Sequence, residues 1–223
     1  MSHEPLLLAP GVASDGTVWR DMPPGQVVTS EAVSIEAMAA DILARAPPRF
    51  ALAGSSLGGY IALAMVRAAP ERVTRLALLG SSALPDDPRQ QAMRRKMIAA
   101  AERDFPALFA LLQADMTHPD TPDSLRAELL DMALRVGAGA FIRHQHAAME
   151  RPDARPGLAA IAVPTLVLAG EDDKVIPPQR SMEMAAAIPG ARLTLLSRCG
   201  HVPMRERPRE TRGAMEAWLA EGS

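Results

Sequence analysis

Short apolar runs alternate with stretches of helical period along most of this chain, and that alternation restricts the fold more than any other feature. Residues 6–9 (LLLA) read as a strand and 26–30 (QVVTS) as a second. Residues 35–44 read as a helix capped by Ser34 and ended before Pro47-Pro48. A buried strand at 50–53 is followed by Leu57, Ile61, Ala64, Met65 and Ala68 at helical spacing. Strands at 72–80, 164–170 and 192–196, a helix through 178–188, and a last helix with Met215, Trp218 and Leu219 on one face complete the pattern. Strands this apolar are buried on both faces, as in a parallel sheet between two helix layers. The expected fold is α/β: a mostly parallel six-stranded sheet with helices on both faces.

Residues 85–156 interrupt the alternation and contain no strand pattern. Phe105, Leu108, Phe109 and Leu112 form one helical stripe. Leu125, Leu129, Met132 and Val136 form another, with Thr121-Pro122 reading as its N-cap and first turn. A third helix covers 138–149. The expected organisation is a core domain of residues 1–84 and 157–223 with 85–156 inserted as a helical cap. The cap would lie over the C-terminal edge of the sheet, where open α/β sheets bind ligands. Met93, Met97, Met116, Met132 and Met149, together with Phe105, Phe109 and Phe141, supply either an adaptable apolar lining or the core of the cap itself.

The third strand breaks into its helix at Gly54-Ser55-Ser56-Leu57-Gly58-Gly59. A buried strand that turns sharply into a helix can force the corner residue into sparsely populated dihedrals. Its side chain then projects above the sheet edge. Residues two before and two after must be tiny, or their Cβ atoms collide with the crossing backbone. Gly54, Ser56 and Gly58 fit G-x-S-x-G with Ser56 at the apex. Ser55 lacks glycines at both flanking positions. The helix start offers free N–H groups to a developing oxyanion, with Leu57 as one donor. Gly59 would let the helix lie close to neighbouring backbone. A phosphate-binding turn is disfavoured: no P-loop lysine is present, and no G-x-G-x-x-G follows the first strand.

A serine hydroxyl is a weak nucleophile without a base, and the base needs an orienting acid. Both should come from loops after later strands. The strand at 164–170 ends in Glu171-Asp172-Asp173, and any of the three carboxylates suits the role. The strand at 192–196 ends in Cys199-Gly200-His201, just before the final helix. His201 is the candidate base.

Composition removes several other classes of function. Net charge is −2, which does not suggest a nucleic-acid partner. The one basic cluster, Arg94-Arg95-Lys96, reads as a solvated helix face. No apolar run approaches the roughly 18 residues of a membrane helix. The start, MSHEPLLLAPG, lacks the basic region of a secretory signal. The single cysteine, Cys199, allows neither an internal disulfide nor a thiolate metal site and fits a cytoplasmic location. The histidines His3, His118, His144, His146 and His201 show no zinc-type spacing. His144 and His146 read as a solvated helix face, with contact to a substrate acid group as the other reading.

In combination, LLLAPGVASDGTVW, LAGSSLGGYIAL, APERVTRLALLGSSA, PTLVLAGEDDKVIPP and CGHVPMRERP resemble the α/β-hydrolase superfamily, and within it the small cap-bearing esterases, lactonases and carbon–carbon hydrolases. The resemblance covers nearly the whole chain. It implies Ser56 as nucleophile, His201 as base and Asp173 as acid, since Gly170, Asp173 and Pro177 fit the family's acid loop. Asp172 is the second choice, and Asp86 and Asp87 are more distant ones. It also implies a second oxyanion donor at the Val12 N–H. There the family's His-Gly-x is Pro10-Gly11-Val12, without the histidine that supports the loop. The N-terminal antiparallel hairpin is reduced or absent. The implied activity is hydrolysis of a small-molecule carboxylic ester or lactone through an acyl-enzyme, without cofactor or metal. A carbon–carbon bond hydrolase, a peptidase, a cofactor-free perhydrolase and a non-catalytic binding protein of the same fold are the alternatives.

Overall fold

The computed structural model describes residues 4–221. Its strands are β1 (Leu6–Ala9), β2 (Gln26–Val27), β3 (Phe50–Ser55), β4 (Val73–Leu79), β5 (Thr165–Gly170) and β6 (Arg192–Leu196). They form one sheet in the order β2-β1-β3-β4-β5-β6, and every neighbouring pair is parallel. The sheet thus has the six strands expected. β2 is shorter than its apolar run because it is the exposed edge, where only Gln26 and Val27 pair with Leu7 and Leu8.

Alternation along the strands divides the core into two layers. Leu7, Leu52, Leu76, Leu78 and Val167 face α1 (Ile35–Arg45), α2 (Leu57–Ala68) and α6 (Pro178–Ala187). Leu6, Leu8, Ala53, Leu166 and Leu168 face the side that holds Trp19 and, on α8 (Pro208–Leu219), Met215 and Trp218. Both layers exclude water, so the central strands β1, β3 and β5 are buried at every position. Ser34 caps α1 as expected, accepting the Ala37 N–H at 3.2 Å.

Between β4 and β5 lie α3 (Pro88–Met116), α4 (Asp123–Val136) and α5 (Ala138–Met149). Asp87 starts α3 with a reciprocal capping box, its carboxylate on the Gln90 N–H and the Gln90 side chain on the Asp87 N–H. The helix breaks at Asp104, whose φ is −158°, just before Pro106. The Asp104 carboxylate then caps the second half by accepting the Ala107 N–H at 3.0 Å. Phe105, Phe109 and Phe141 stack into a third core, with ring centroids 5.9 and 5.2 Å apart along the pair contacts. The Thr121-Pro122 cap is displaced by one residue from its expected place. α4 begins at Asp123, because the Thr121 hydroxyl donates to the Glu206 carboxylate at 3.0 Å instead of capping.

β1 and β3 are adjacent, yet the chain leaves β1 toward β2 and returns on the other side to form β3. Their C-terminal ends therefore flank a topological switch point. There β3 turns into α2 through Ser56, at φ 53° and ψ −114°. A Cβ on Gly54 would stand 2.2 Å from the Gly58 carbonyl oxygen, and one on Gly58 only 2.0 Å from the Ala9 carbonyl oxygen. The turn is possible only because those atoms are missing. Gly59 serves differently from the expectation. What approaches it is the Ser81 side chain, whose hydroxyl donates to the Ser56 carbonyl at 2.9 Å.

Replacing Gly58 with alanine should cost about 3 kcal/mol or more, since backbone on both sides must move. Gly213→Ala, in the exposed middle of α8 where an added Cβ meets nothing within 4 Å, should instead gain about 0.5–1 kcal/mol. Thermal melts of the two variants should move in opposite directions.

Candidate active site

Three loops at the C-terminal edge of the sheet bring the expected site residues together. The His201 Nδ1 lies 2.7 Å from Asp173 Oδ2, and its Nε2 lies 3.0 Å from Ser56 Oγ. An ionised carboxylate only accepts, so Nδ1 carries the proton and Nε2 is left to accept from the Ser56 hydroxyl. The other Asp173 oxygen accepts the Val175 and Ile176 N–H groups, both at 2.9 Å. The Asp173 side chain is fully buried and that of His201 is 8 % exposed. Burial pushes the imidazole pKa down, but the charge and hydrogen bond of Asp173, with the Glu206 carboxylate, together hold it above its ordinary value.

The other acids lie elsewhere. Glu171 and Asp172 are exposed, and Asp172 faces His118 with 3.7 Å between Oδ2 and Nε2. Asp87 caps α3, and Asp86 is buried between Arg94 and Arg151. His3 lies outside the described residues.

The loop carrying His201 is held by contacts that no local pattern announces. A Cβ on Gly170, where β5 ends, would stand 2.2 Å from the carbonyl oxygens of both Cys199 and Gly200. The loops after β5 and β6 thus run backbone against backbone, which brings Asp173 to His201. The His201 N–H donates to the Met116 carbonyl at 2.7 Å, tying the site to the end of α3. Glu206, in the short helix α7 (Pro203–Glu206), accepts from the Gly200 and Val202 N–H groups on one side and the His118 N–H on the other. It joins the histidine loop to the inserted helices. Its only trace in the sequence is a carboxylate shortly after His201.

On the opposite side of Ser56, Leu57 opens α2, so its N–H has no partner within the helix. The loop after β1 passes beside the serine: a Cβ on Gly11 would stand 3.2 Å from Ser56 Cβ. Val12 and Ser56 line the same cavity. Next to Val12, Ala13 is fully buried at φ 51°, and its N–H donates to His144 Nδ1 at 3.4 Å. His144 therefore departs from the solvated face expected of it, while His146 is exposed. Burial, with Arg143 nearby, pushes the His144 pKa down to about 4, so its ring is neutral and able to accept.

Two cavities meet at Ser56. The larger, about 780 Å³, lies between the sheet edge and the inserted helices, and its walls are mostly apolar. Met93, Met97, Met116, Phe109 and Phe141 line it, whereas Phe105, Met132 and Met149 are buried in the core. The smaller, about 120 Å³, is lined by Ser56, Tyr60 and three arginines, Arg94, Arg151 and Arg180. Arg94 corrects the reading of its cluster. Arg95 and Lys96 are exposed, but Arg94 turns inward to the Asp86 carboxylate and donates to the Gln145 carbonyl at 2.7 Å.

Residues 6–214 match the model of the alpha/beta hydrolase family. A pimeloyl-(acyl-carrier protein) methyl ester esterase of Neisseria meningitidis serogroup C is 29% identical over 186 residues, which is 80% of this chain and 73% of that protein. The match spans 60% of the serogroup A protein of the same name. The solved structure of a thermophilic esterase from Thermogutta terrifontis is similar at a TM-score of 0.86 and 28% identity, covering 97% of this chain and 89% of that one. The enol-lactonase from Burkholderia xenovorans LB400 shares the fold at a TM-score of 0.85 and 20% identity, over 98% of this chain and 92% of that one. With a parallel sheet, a strand–serine–helix turn at its switch point and a match over nearly its whole length, the chain belongs to the alpha/beta hydrolase family.

Proposed function

We propose that this enzyme is a serine hydrolase that cleaves a carboxylic ester or lactone through an acyl-enzyme. The observation that carries the reading is the unbroken hydrogen-bonded line from Ser56 through His201 to buried Asp173. Ser56 Oγ attacks the carbonyl carbon while His201 Nε2 takes its proton. Asp173 keeps the ring in the reactive tautomer and stabilises the imidazolium. The Val12 and Leu57 N–H groups receive the negative charge that develops on the carbonyl oxygen, helped by the positive end of α2. The bond to the leaving oxygen then breaks, and His201 returns the proton to it. Water deacylates the enzyme by the same route: its proton goes to His201 as it attacks, and Ser56 Oγ leaves reprotonated. Gly54 and Gly58 support the turn that presents the nucleophile.

Residues 85–156 act as the cap, since α3 and α5 close over the serine and bound the larger cavity. Esterase and lactonase names among the relatives favour oxygen esters as substrates. Among the described residues no helix is long and apolar enough to cross a membrane. A cytoplasmic location is supported by the lone cysteine, Cys199, which is buried and whose thiol pKa burial raises.

Ser56→Ala should abolish labelling by a fluorophosphonate probe and lower kcat toward nitrophenyl esters or lactones by about 10⁶-fold, with the melting temperature little changed. Labelling at Ser55, or retained turnover, would contradict the assignment. His201 must be neutral to accept the serine proton. Because its pKa is raised, kcat/KM should climb with pH through a midpoint above the ordinary 6.5. In Asp173→Asn the carboxylate is gone and burial remains, so the midpoint should move down while kcat falls about 10⁴-fold. A pH–rate profile of both proteins checks the direction.

A further inference from the structure

We propose that the smaller cavity is a carboxylate subsite for the acyl half of the substrate, so that the enzyme takes half-esters of short dicarboxylic acids with a bulky apolar alcohol. This rests on Ser56 being the nucleophile.

The direction of each substrate half follows from what lines the two cavities. In the adduct on Ser56 the oxyanion points to the Val12 and Leu57 N–H groups. The leaving oxygen must lie beside His201, which protonates it. Val12 and His201 both line the larger cavity, and neither lines the smaller. The remaining substituent, the acyl chain, enters the smaller cavity. The alcohol then occupies the larger one, among Met97, Phe109 and Phe141.

The smaller cavity is built for a negative group. Asp86 is fully buried and is shared by two guanidinium groups, those of Arg94 and Arg151, whose side chains are 17% and 6% exposed. Gln145, the other partner of Arg94, is neutral. These two guanidinium groups share the one buried carboxylate of the lining; the second lining carboxylate, Asp87, is exposed. At the rim, Asp87 is occupied in capping α3 and Arg180 pairs with Glu183. Arg151 is held rigidly. Its Nε donates to the Leu84 carbonyl at 2.9 Å and its Nη1 to Asp86 and the Ala148 carbonyl, both at 2.6 Å. Its guanidinium stacks 4.2 Å over the Tyr60 ring. Among the described residues no acceptor meets its Nη2. With Nε and Nη1 both engaged, Nη2 is the donor left for an entering carboxylate oxygen. The volume, about 120 Å³, holds on the order of ten water-sized groups. That suits a succinyl-length chain and excludes a fatty acyl chain.

The experiment compares monohexyl succinate with hexyl pentanoate, a neutral ester of similar acyl length, and with a pentanoate ester whose alcohol carries the carboxylate. We expect at least a tenfold preference in kcat/KM for monohexyl succinate over both. Arg94→Gln should cut the succinate-to-pentanoate ratio by tenfold or more. Free succinate should slow fluorophosphonate labelling of Ser56 in the unmodified enzyme, with pentanoate less effective. This protection arm decides the matter if the variant fails to fold or neither ester turns over. Equal or better hydrolysis of hexyl pentanoate, or labelling indifferent to succinate, would overturn the subsite and leave the serine hydrolase standing. Absence of both labelling and hydrolysis would remove the two together.

Discussion

The arrangement of this site depends on one close approach of backbone to backbone. The start of α2 passes so near the end of β1 that no side chain fits at Gly58, and the end of β3 passes so near α2 that none fits at Gly54. Within that space the residue between them has one course, through positive φ, and its side chain is lifted off the sheet edge. Such a conformation is unfavourable for a residue with a Cβ and persists only where its surroundings over-determine it. The surroundings here are the two core layers. They press β1, β3 and α2 together by burying every strand side chain at the switch point. The Ser81 hydroxyl on the Ser56 carbonyl adds a polar tie from β4's end.

Buried and half-buried carboxylates do the remaining positioning, each by collecting donors from separate segments. Asp173 joins its own loop to His201. Glu206 joins the histidine loop to the chain after α3. Asp86 joins α3 to the segment after α5 through Arg94 and Arg151. A carboxylate removed from water is tolerable only when its lone pairs are satisfied, so each of these anchors opposes local movement. The inserted helices are thereby fastened at both ends of the site, not merely laid over it. His144 adds a lighter contact, from α5 to the loop after β1 where the sequence has Pro10.

The framework was legible because burial on both faces imposes a continuous apolar strand, and amphipathic packing imposes a 3.6-residue period on each helix. The elements misread were those governed by distant partners. Thr121 looked like a cap until Glu206 claimed its hydroxyl. Arg94 looked solvated, as its neighbours are, because nothing nearby in sequence marks Asp86 and Gln145 as its companions. His144 looked exposed because helical spacing does not say which face meets the loop after β1.

By itself the sequence determined the sheet, the position of the inserted helices, and the serine, histidine and acid loop as candidates. The sheet and helices follow from the period of side-chain burial, the serine from local sterics, and the histidine and acid loop from the partners that a serine nucleophile needs after later strands. Only the tertiary structure decided that Asp173 and not Asp172 meets His201, that Glu206 organises the loop between them, and that two unlike cavities open on Ser56. Those outcomes depend on the distances and directions of groups far apart along the chain, which are set when the layers pack.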